Sequence, residues 1–375
     1  MDLDFSEEQH LMRDMSRAML AEHCPIDVVR RMEDDPKGYP DGLWKQICEL
    51  GLAGMLIPEA YGGSAQTLLE AALVYEEFGR ALAPTPHFVS CVLSARILLA
   101  AGSEEQKSAW VEQIGKGEAI VTPAWLEPDR GYGPAGVALE ARAQGGDITL
   151  TGTKRHVLFA RAADRMIVLA RTSAGIDLFL VDPNAPGVTL TQQLSLGSDC
   201  QYRVDFQDVR VPASARIGKP GSGWETWSAA LHEGIILLAA QAIGGADRAL
   251  EITVEYAKTR KQFDKPLGAF QSLAHYMADT STRIDGGRTL VYEAAWNHAQ
   301  GRSIAKLAPM AKLFACETYR EGTRICEQIW GGVGFTIEYD IQLFFRRAKQ
   351  LQLSWWDSRE LEERIAAAVL DGPAA

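Results

Sequence analysis

The sequence predicts an α+β protein in three consecutive parts: an N-terminal α-helical domain over residues 1–120, a middle β-barrel or sandwich over 121–228, and a C-terminal α-helical bundle over 229–375. Three observations carry this expectation. Apolar residues recur at helical spacing as far as about residue 120. They then alternate at period two in short runs. After residue 228 the helical period returns over stretches long enough to pack as a bundle. At 375 residues and 47% hydrophobic content, the chain has material for two or three packed units.

The first helix is announced by Ser6 and Gln9, a capping-box pair, followed by Leu11, Met12, Met15 and Met19 at helical spacing. Further helices are expected over 43–50, 68–83 and 90–101, divided by a Pro/Gly segment at 57–63 and by Pro84 and Pro86. The middle part reads as antiparallel strands through Ile148 and Leu150, Met166 and Val168, Leu178 and Leu180, Val188 and Leu190, Val204 and Phe206, and Val209 and Val211. Gly145-Gly146-Asp147 and Gly187 supply the turns. Beyond Gly221-Ser222-Gly223, helices are expected through 231–250 and 304–329, and the last ones run to about Leu370.

Composition narrows the function. A formal net charge of −11 argues against a protein whose main partner is nucleic acid, while leaving room for a local basic group around a phosphate-bearing ligand. The six cysteines, at 24, 48, 91, 200, 316 and 326, form no Cys-x-x-Cys pair, and no histidine cluster has metal spacing, so neither a zinc site nor a disulfide framework is expected. Asp2, Asp4, Glu7 and Glu8 make an acidic start, the opposite of a basic leader. The longest apolar run, 234–246 with Gln241 its only polar residue, is short for a membrane span. A cytoplasmic protein is the expectation.

Two separated segments carry chemistry. One is Tyr256-Ala-Lys-Thr-Arg260-Lys-Gln262-Phe263-Asp264-Lys-Pro266-Leu-Gly268-Ala-Phe270-Gln271; the other is Gln328-Ile-Trp330-Gly331-Gly332-Val-Gly334-Phe335-Thr-Ile-Glu338-Tyr339. Arg260 is a fixed cationic fork suited to a pyrophosphate, and Gly331 and Gly332 lack side chains, so that backbone N–H groups can approach a ligand. Together the segments resemble the acyl-CoA dehydrogenase family. The likeness extends from Phe5-Ser6-Glu7-Glu8-Gln9, through Ile57-Pro-Glu59-Ala-Tyr61-Gly62-Gly63, nearly to the C-terminus.

The resemblance implies one FAD shared between adjacent subunits. Arg260, Gln262, Phe263, Gln271, Gln328, Gly331 and Gly332 match the positions that hold its pyrophosphate and adenine half, and the β-domain holds the flavin ring. Asp264 departs from the pattern, since the family usually has Gly there. The implied reaction removes an α-proton and a β-hydride from an acyl-CoA thioester, with electron-transfer flavoprotein as the implied acceptor, and it needs a carboxylate base.

Here the pattern breaks. Matching Ala348-Lys349 to the family puts Trp355 where many members carry the base, and an indole cannot take an α-proton. Asp357 lies two residues on. Some relatives place the glutamate on the first helix after the β-domain, and Glu233 falls one residue short of that position, a rotation of about 100° on a helix. Where relatives have two flavin-contacting Thr residues, this chain has Leu126 and Leu158, with His156 nearby. The loss of the base and both hydroxyls, with the pyrophosphate side retained, resembles the small, base-lacking subunit of heteromeric acyl-CoA dehydrogenases. That implies a second acyl-CoA dehydrogenase-like chain in a tetramer. The rival reading is a self-sufficient homotetramer using Glu233, and the catalytic residue stays unassigned.

Overall fold

The computed structural model describes residues 4–371. Asp2 lies outside them. The described chain forms two compact units, each gathered from segments distant in sequence: one from the N-terminal residues up to Val29, Thr67–Ala83 and the chain from Ile235 onward, the other from Arg30–Gln66 and Pro84–Gly234. This division by packing differs from a division into three consecutive segments, because helices early in the chain pack with those at its end.

The first unit is helical. It holds α1 (Glu7–His23), α4 (Leu68–Arg80), most of α7 (Gly223–Thr259), α8 (Gln271–Ala299), α9 (Leu307–Trp330), α10 (Ile341–Leu353) and α11 (Ser358–Ala366). The capping box that opens α1 is present: Gln9 N donates to Ser6 Oγ at 3.2 Å and Ser6 N to Gln9 Oε1 at 3.0 Å. The buried stripe of α1 is shifted from the one the apolar residues suggest. Ser16, Met19 and Leu20 face inward, whereas Leu11 and Met15 are exposed.

Glycines set the spacing between helices. A Cβ at Gly244 of α7 would stand 1.9 Å from Glu76 O of α4, and one at Gly79 of α4 would stand 1.9 Å from Gln241 O of α7, so the two backbones touch directly. The buried carboxylates of α4 are matched by cations: Glu77 takes both arms of Arg17 at 2.7 and 2.9 Å, and Glu76 faces Arg288 at 3.2 Å. The apolar run 234–246 lies inside α7. The most apolar window of that helix is 78% buried, as suits a core helix.

The second unit joins α2 (Ile26–Arg31, which spans the boundary), α3 (Asp41–Glu49), α5 (Ala95–Ala101) and α6 (Glu104–Lys116) to an eight-stranded sheet. The helix expected over 90–101 begins as a π-helix, Phe88–Ser94, before turning regular. The strands are β1 (Val121–Ala124), β2 (Glu140–Gln144), β3 (Asp147–Leu158), β4 (Arg165–Thr172), β5 (Gly175–Val181), β6 (Val188–Gln193), β7 (Gln201–Pro212) and β8 (Arg216–Ile217). Their order is β6-β7-β3-β2-β4-β5-β8, with β1 alongside β4. The purely antiparallel expectation needs correcting, because β1 runs parallel to β4. Gly145 and Gly146, at φ +61° and +95°, turn β2 into β3 as their sequence suggests. The two runs Val204-Phe206 and Val209-Val211 form one strand. A register shift near Leu150 and Gly152, opposite Asp208 at φ +51°, slips the alternation so that both runs face the core.

Candidate cofactor and base sites

The α7 helix closes with Arg260 N donating to Tyr256 O at 2.8 Å, and the chain then makes a small hairpin of β9 (Lys261–Gln262) and β10 (Lys265–Pro266). Its two turn residues, Phe263 and Asp264, have φ of +51° and +64°. Such a turn favours glycine, and aspartate is one of the few L-residues that tolerates it, so Asp264 suits this geometry on backbone grounds alone. Phe263 is 86% exposed, at the hairpin tip. Leu267 N donates to Arg260 O at 2.9 Å, and a short 3-10 turn then delivers Gln271 as the first residue of α8. Arg260, Gln262 and Gln271 are all exposed beside the N-terminus of a 29-residue helix, where unpaired N–H groups favour an anion.

The second segment ends α9. Gln328 is exposed on the last turn. Gly331 follows at φ +67°, ψ −149°, a conformation that requires glycine. Apart from the chain neighbours, no heavy atom of the described residues lies within 4 Å of where a Cβ would stand at Gly331 or Gly332, so the backbone there is open to a ligand. Trp330 ties the two segments together. Its ring stacks on Tyr256, with centroids 3.9 Å apart and planes 9° from parallel, and its indole N–H donates to Thr253 Oγ1 at 3.0 Å. Since Tyr256 stands one helical turn before Arg260 and Trp330 immediately before Gly331, the stack holds the arginine segment and the glycine segment side by side.

At the position expected for a base, the chain forms a buried corner. Trp355 and Trp356 are 7% and 0% exposed, with φ of +55° and +74°. Lys312 of α9, fully buried, holds the corner by donating to three carbonyls: Leu351 O at 3.2 Å, Ser354 O at 2.9 Å and Trp356 O at 2.8 Å. Burial depresses its ammonium pKa. The Arg364 guanidinium lies over the Trp356 ring, 3.4 Å from its centroid. Asp357 caps α11, accepting from Glu360 N at 3.0 Å, so its carboxylate has a structural partner.

Glu233 is also engaged. Arg96 of α5 grips it bidentately, Nε to Oε2 at 2.7 Å and Nη2 to Oε1 at 2.9 Å, and this contact raises the pKa of the guanidinium. Glu233 is not at a helix start, because α7 begins ten residues earlier, at Gly223. The next residue, Gly234, faces Leu93 and Phe88; a Cβ there would stand 2.9 Å from Leu93 Cδ2.

Leu126, just past β1, and Leu158, at the end of β3, are half-buried, and His156, at φ +53°, is exposed with Nδ1 hydrogen-bonded to Gln201 Oε1. The segment 125–127 is braced from beneath by a pair the sequence reading passed over. Lys154 Nζ donates to Glu127 Oε1 at 2.7 Å and to Trp125 O at 3.2 Å, while Ala138 N and Leu139 N also donate to Glu127 Oε1, each at 2.9 Å. Burial brings the lysine pKa down to about 8. Lys154 sits at an inward position of a strand, the one signal that could have found it.

Three family models cover the chain: the N-terminal domain of acyl-CoA dehydrogenase over residues 6–118, the middle domain over 123–209 and the C-terminal domain over 221–355. The fold and these matches define a flavoprotein oxidoreductase of helix–sheet–helix order. The chain belongs to the acyl-CoA dehydrogenase family, whose members are FAD-dependent enzymes acting on acyl-CoA. It is 32% identical to a probable acyl-CoA dehydrogenase, YngJ, of Bacillus subtilis, over 99% of this chain and all of that one. Among solved structures it resembles butyryl-CoA dehydrogenase from Megasphaera elsdenii, with a TM-score of 0.91, 29% identity, and 99% and 100% of the two chains covered. It resembles a chain of the ChsE4–ChsE5 complex from Mycobacterium tuberculosis equally, with a TM-score of 0.91, 27% identity and both chains fully covered. The exposed Arg260 fork, the side-chain-free backbone at Gly331 and Gly332 and the open α8 N-terminus fit the diphosphate of FAD.

Proposed function

We propose that this chain is a subunit of a heteromeric FAD-dependent acyl-CoA dehydrogenase, lending the pyrophosphate and adenine side of an FAD site while a second acyl-CoA dehydrogenase-like chain supplies the base. In this reading Arg260, Gln262, Phe263, Gln271, Gln328, Gly331 and Gly332 hold the cofactor, the substrate is an acyl-CoA thioester, and electron-transfer flavoprotein is the acceptor. Bound FAD supplies a hydride acceptor. The residues of this chain bind and orient it.

The observation that carries the proposal is the corner at Trp355 and Trp356. Where a base is expected there is an indole, and Lys312 fixes the loop through three carbonyl bonds, so Asp357 cannot swing in without leaving those carbonyls and the α11 cap unsatisfied. The homotetramer reading fares worse, because Glu233 would have to leave a bidentate guanidinium before it could take a proton. Leu126 and Leu158 add to the case, offering no hydrogen bond to a flavin edge.

Co-expression with an acyl-CoA dehydrogenase-like chain bearing the glutamate, followed by native mass measurement and flavin quantitation, tests this. The proposal expects a mixed tetramer with fewer flavins than chains. A homotetramer with one FAD per chain would refute it.

A further inference from the structure

The α9 helix ends over a carboxyl that none of the described residues answers. Glu327 is 1% exposed, and among the described residues neither of its buried carboxyl oxygens has a hydrogen-bond partner. Buried carboxylates elsewhere are matched: Glu77 by Arg17, Glu76 by Arg288, Glu127 by Lys154. Room for the Glu327 carboxyl exists because residue 334 is glycine; a Cβ there would stand 2.4 Å from Glu327 Oε2 and 2.9 Å from Trp330 Cβ. Gly334 N in turn donates to Gly331 O at 3.0 Å, which makes the carboxyl part of the floor beneath the turn that presents Gly331 and Gly332.

An ionised carboxylate without partners is unstable in such a place, whereas the neutral acid is tolerated. Burial is the one cause acting on Glu327, and it pushes its pKa up from 4.5 to about 7. The arginines of α9 and α10 nearest in sequence have partners of their own. On α9, Arg324 is paired with Glu321, and the Cys326 thiol is itself held up by burial first and by Glu327 among lesser causes. On α10, Arg346 donates to Gln342 and Arg347 to Gln350. From α7 Tyr256, and from the turn Tyr339, pack against the Trp330 ring.

We propose that Glu327 is a positioning residue for the glycine turn: as the neutral acid it lets the turn close and present Gly331 and Gly332 to an anionic diphosphate, and on releasing its proton to solvent it opens the turn and weakens that grip. This rests on the reading that the segment holds the pyrophosphate of FAD. The consequence is a cofactor affinity that falls as pH rises through neutrality.

The test is FAD titration of the stripped assembly by flavin fluorescence. If only the neutral acid is competent, affinity weakens about tenfold between about pH 6 and about pH 8. Glu327→Gln, isosteric and permanently neutral, should keep the low-pH affinity and flatten the profile; loss of a merely structural contact would weaken binding without removing the slope. A flat wild-type profile, or an unchanged slope in Glu327→Gln, overturns the inference and leaves the cofactor reading standing. Absence of FAD binding at every pH overturns both. Should the variant fail to fold, wild-type amide exchange over 331–334, corrected for intrinsic rates, is expected to quicken across the same interval, and unchanged protection there overturns the inference.

Discussion

Tyr256 and Trp330 lie ring on ring, 3.9 Å between centroids, with the indole N–H anchored on Thr253 Oγ1. Through them the end of α7 and the end of α9 are held in one geometry, and the residues that follow each, Arg260 and Gly331, inherit it. Thr253→Val should therefore do more than remove a hydrogen bond. We expect about 1–3 kcal/mol of lost stability, from leaving the indole N–H unpaired, together with weaker flavin retention. Thermal melts and flavin content after gel filtration measure the two effects; a protein destabilised yet unchanged in flavin content would separate the stack from the site.

Arg260→Ala removes a cation that the proposal places against pyrophosphate. The expected loss is about 1.5–3 kcal/mol, or roughly ten- to a hundredfold in FAD affinity, with little change in melting temperature because Arg260 is exposed. Equilibrium titration checks it, and unchanged affinity would remove Arg260 from the site.

Asp357→Ala discriminates a cap from a base. Loss of the bond from Glu360 N should cost about 0.5–2 kcal/mol of stability and leave any turnover of the assembled enzyme per active site unaltered. Lys312→Met should cost more, since three carbonyls lose their donor at once. Denaturant midpoints order the two variants; a collapse of turnover in Asp357→Ala with unchanged stability would reverse its assignment.

The pH dependence of stability has a defined sign at Glu327. Its folded pKa is raised to about 7 from 4.5, so the native state holds a proton that the unfolded chain has released across that interval. The stabilisation is complete below about pH 4.5 and is lost as pH rises toward about 7, by an amount on the order of 3 kcal/mol. Glu327→Gln should melt increasingly above wild type as pH rises through this window. Parallel melting curves at all pH values would show that the carboxyl does not titrate there.

Much of this was legible in the sequence, for physical reasons. The Ser6–Gln9 box and the Gly145–Gly146 turn are local signals, and local signals survive folding. The joint Arg260 and Gly331 segments gave the family. What escaped was tertiary. Nothing in the spacing of α1 shows that Leu11 and Met15 face solvent, and nothing near Glu233 announces Arg96, 137 residues away. Lys312 and Glu327 look like ordinary surface residues of an amphipathic helix, and only packing against the Trp356 corner and Gly334 reveals them as buried.

In the proposed function this chain carries no base of its own. The most direct test of this is acyl-CoA dehydrogenation by the purified chain loaded with FAD, assayed with an artificial electron acceptor over short-chain, bulky and dicarboxylic acyl-CoA thioesters, for wild type and Glu233→Gln side by side. A chain without a base should turn over about 10²–10⁴-fold more slowly than an enzyme with a positioned base, and equally in the two proteins. Robust wild-type turnover that disappears in Glu233→Gln would contradict it.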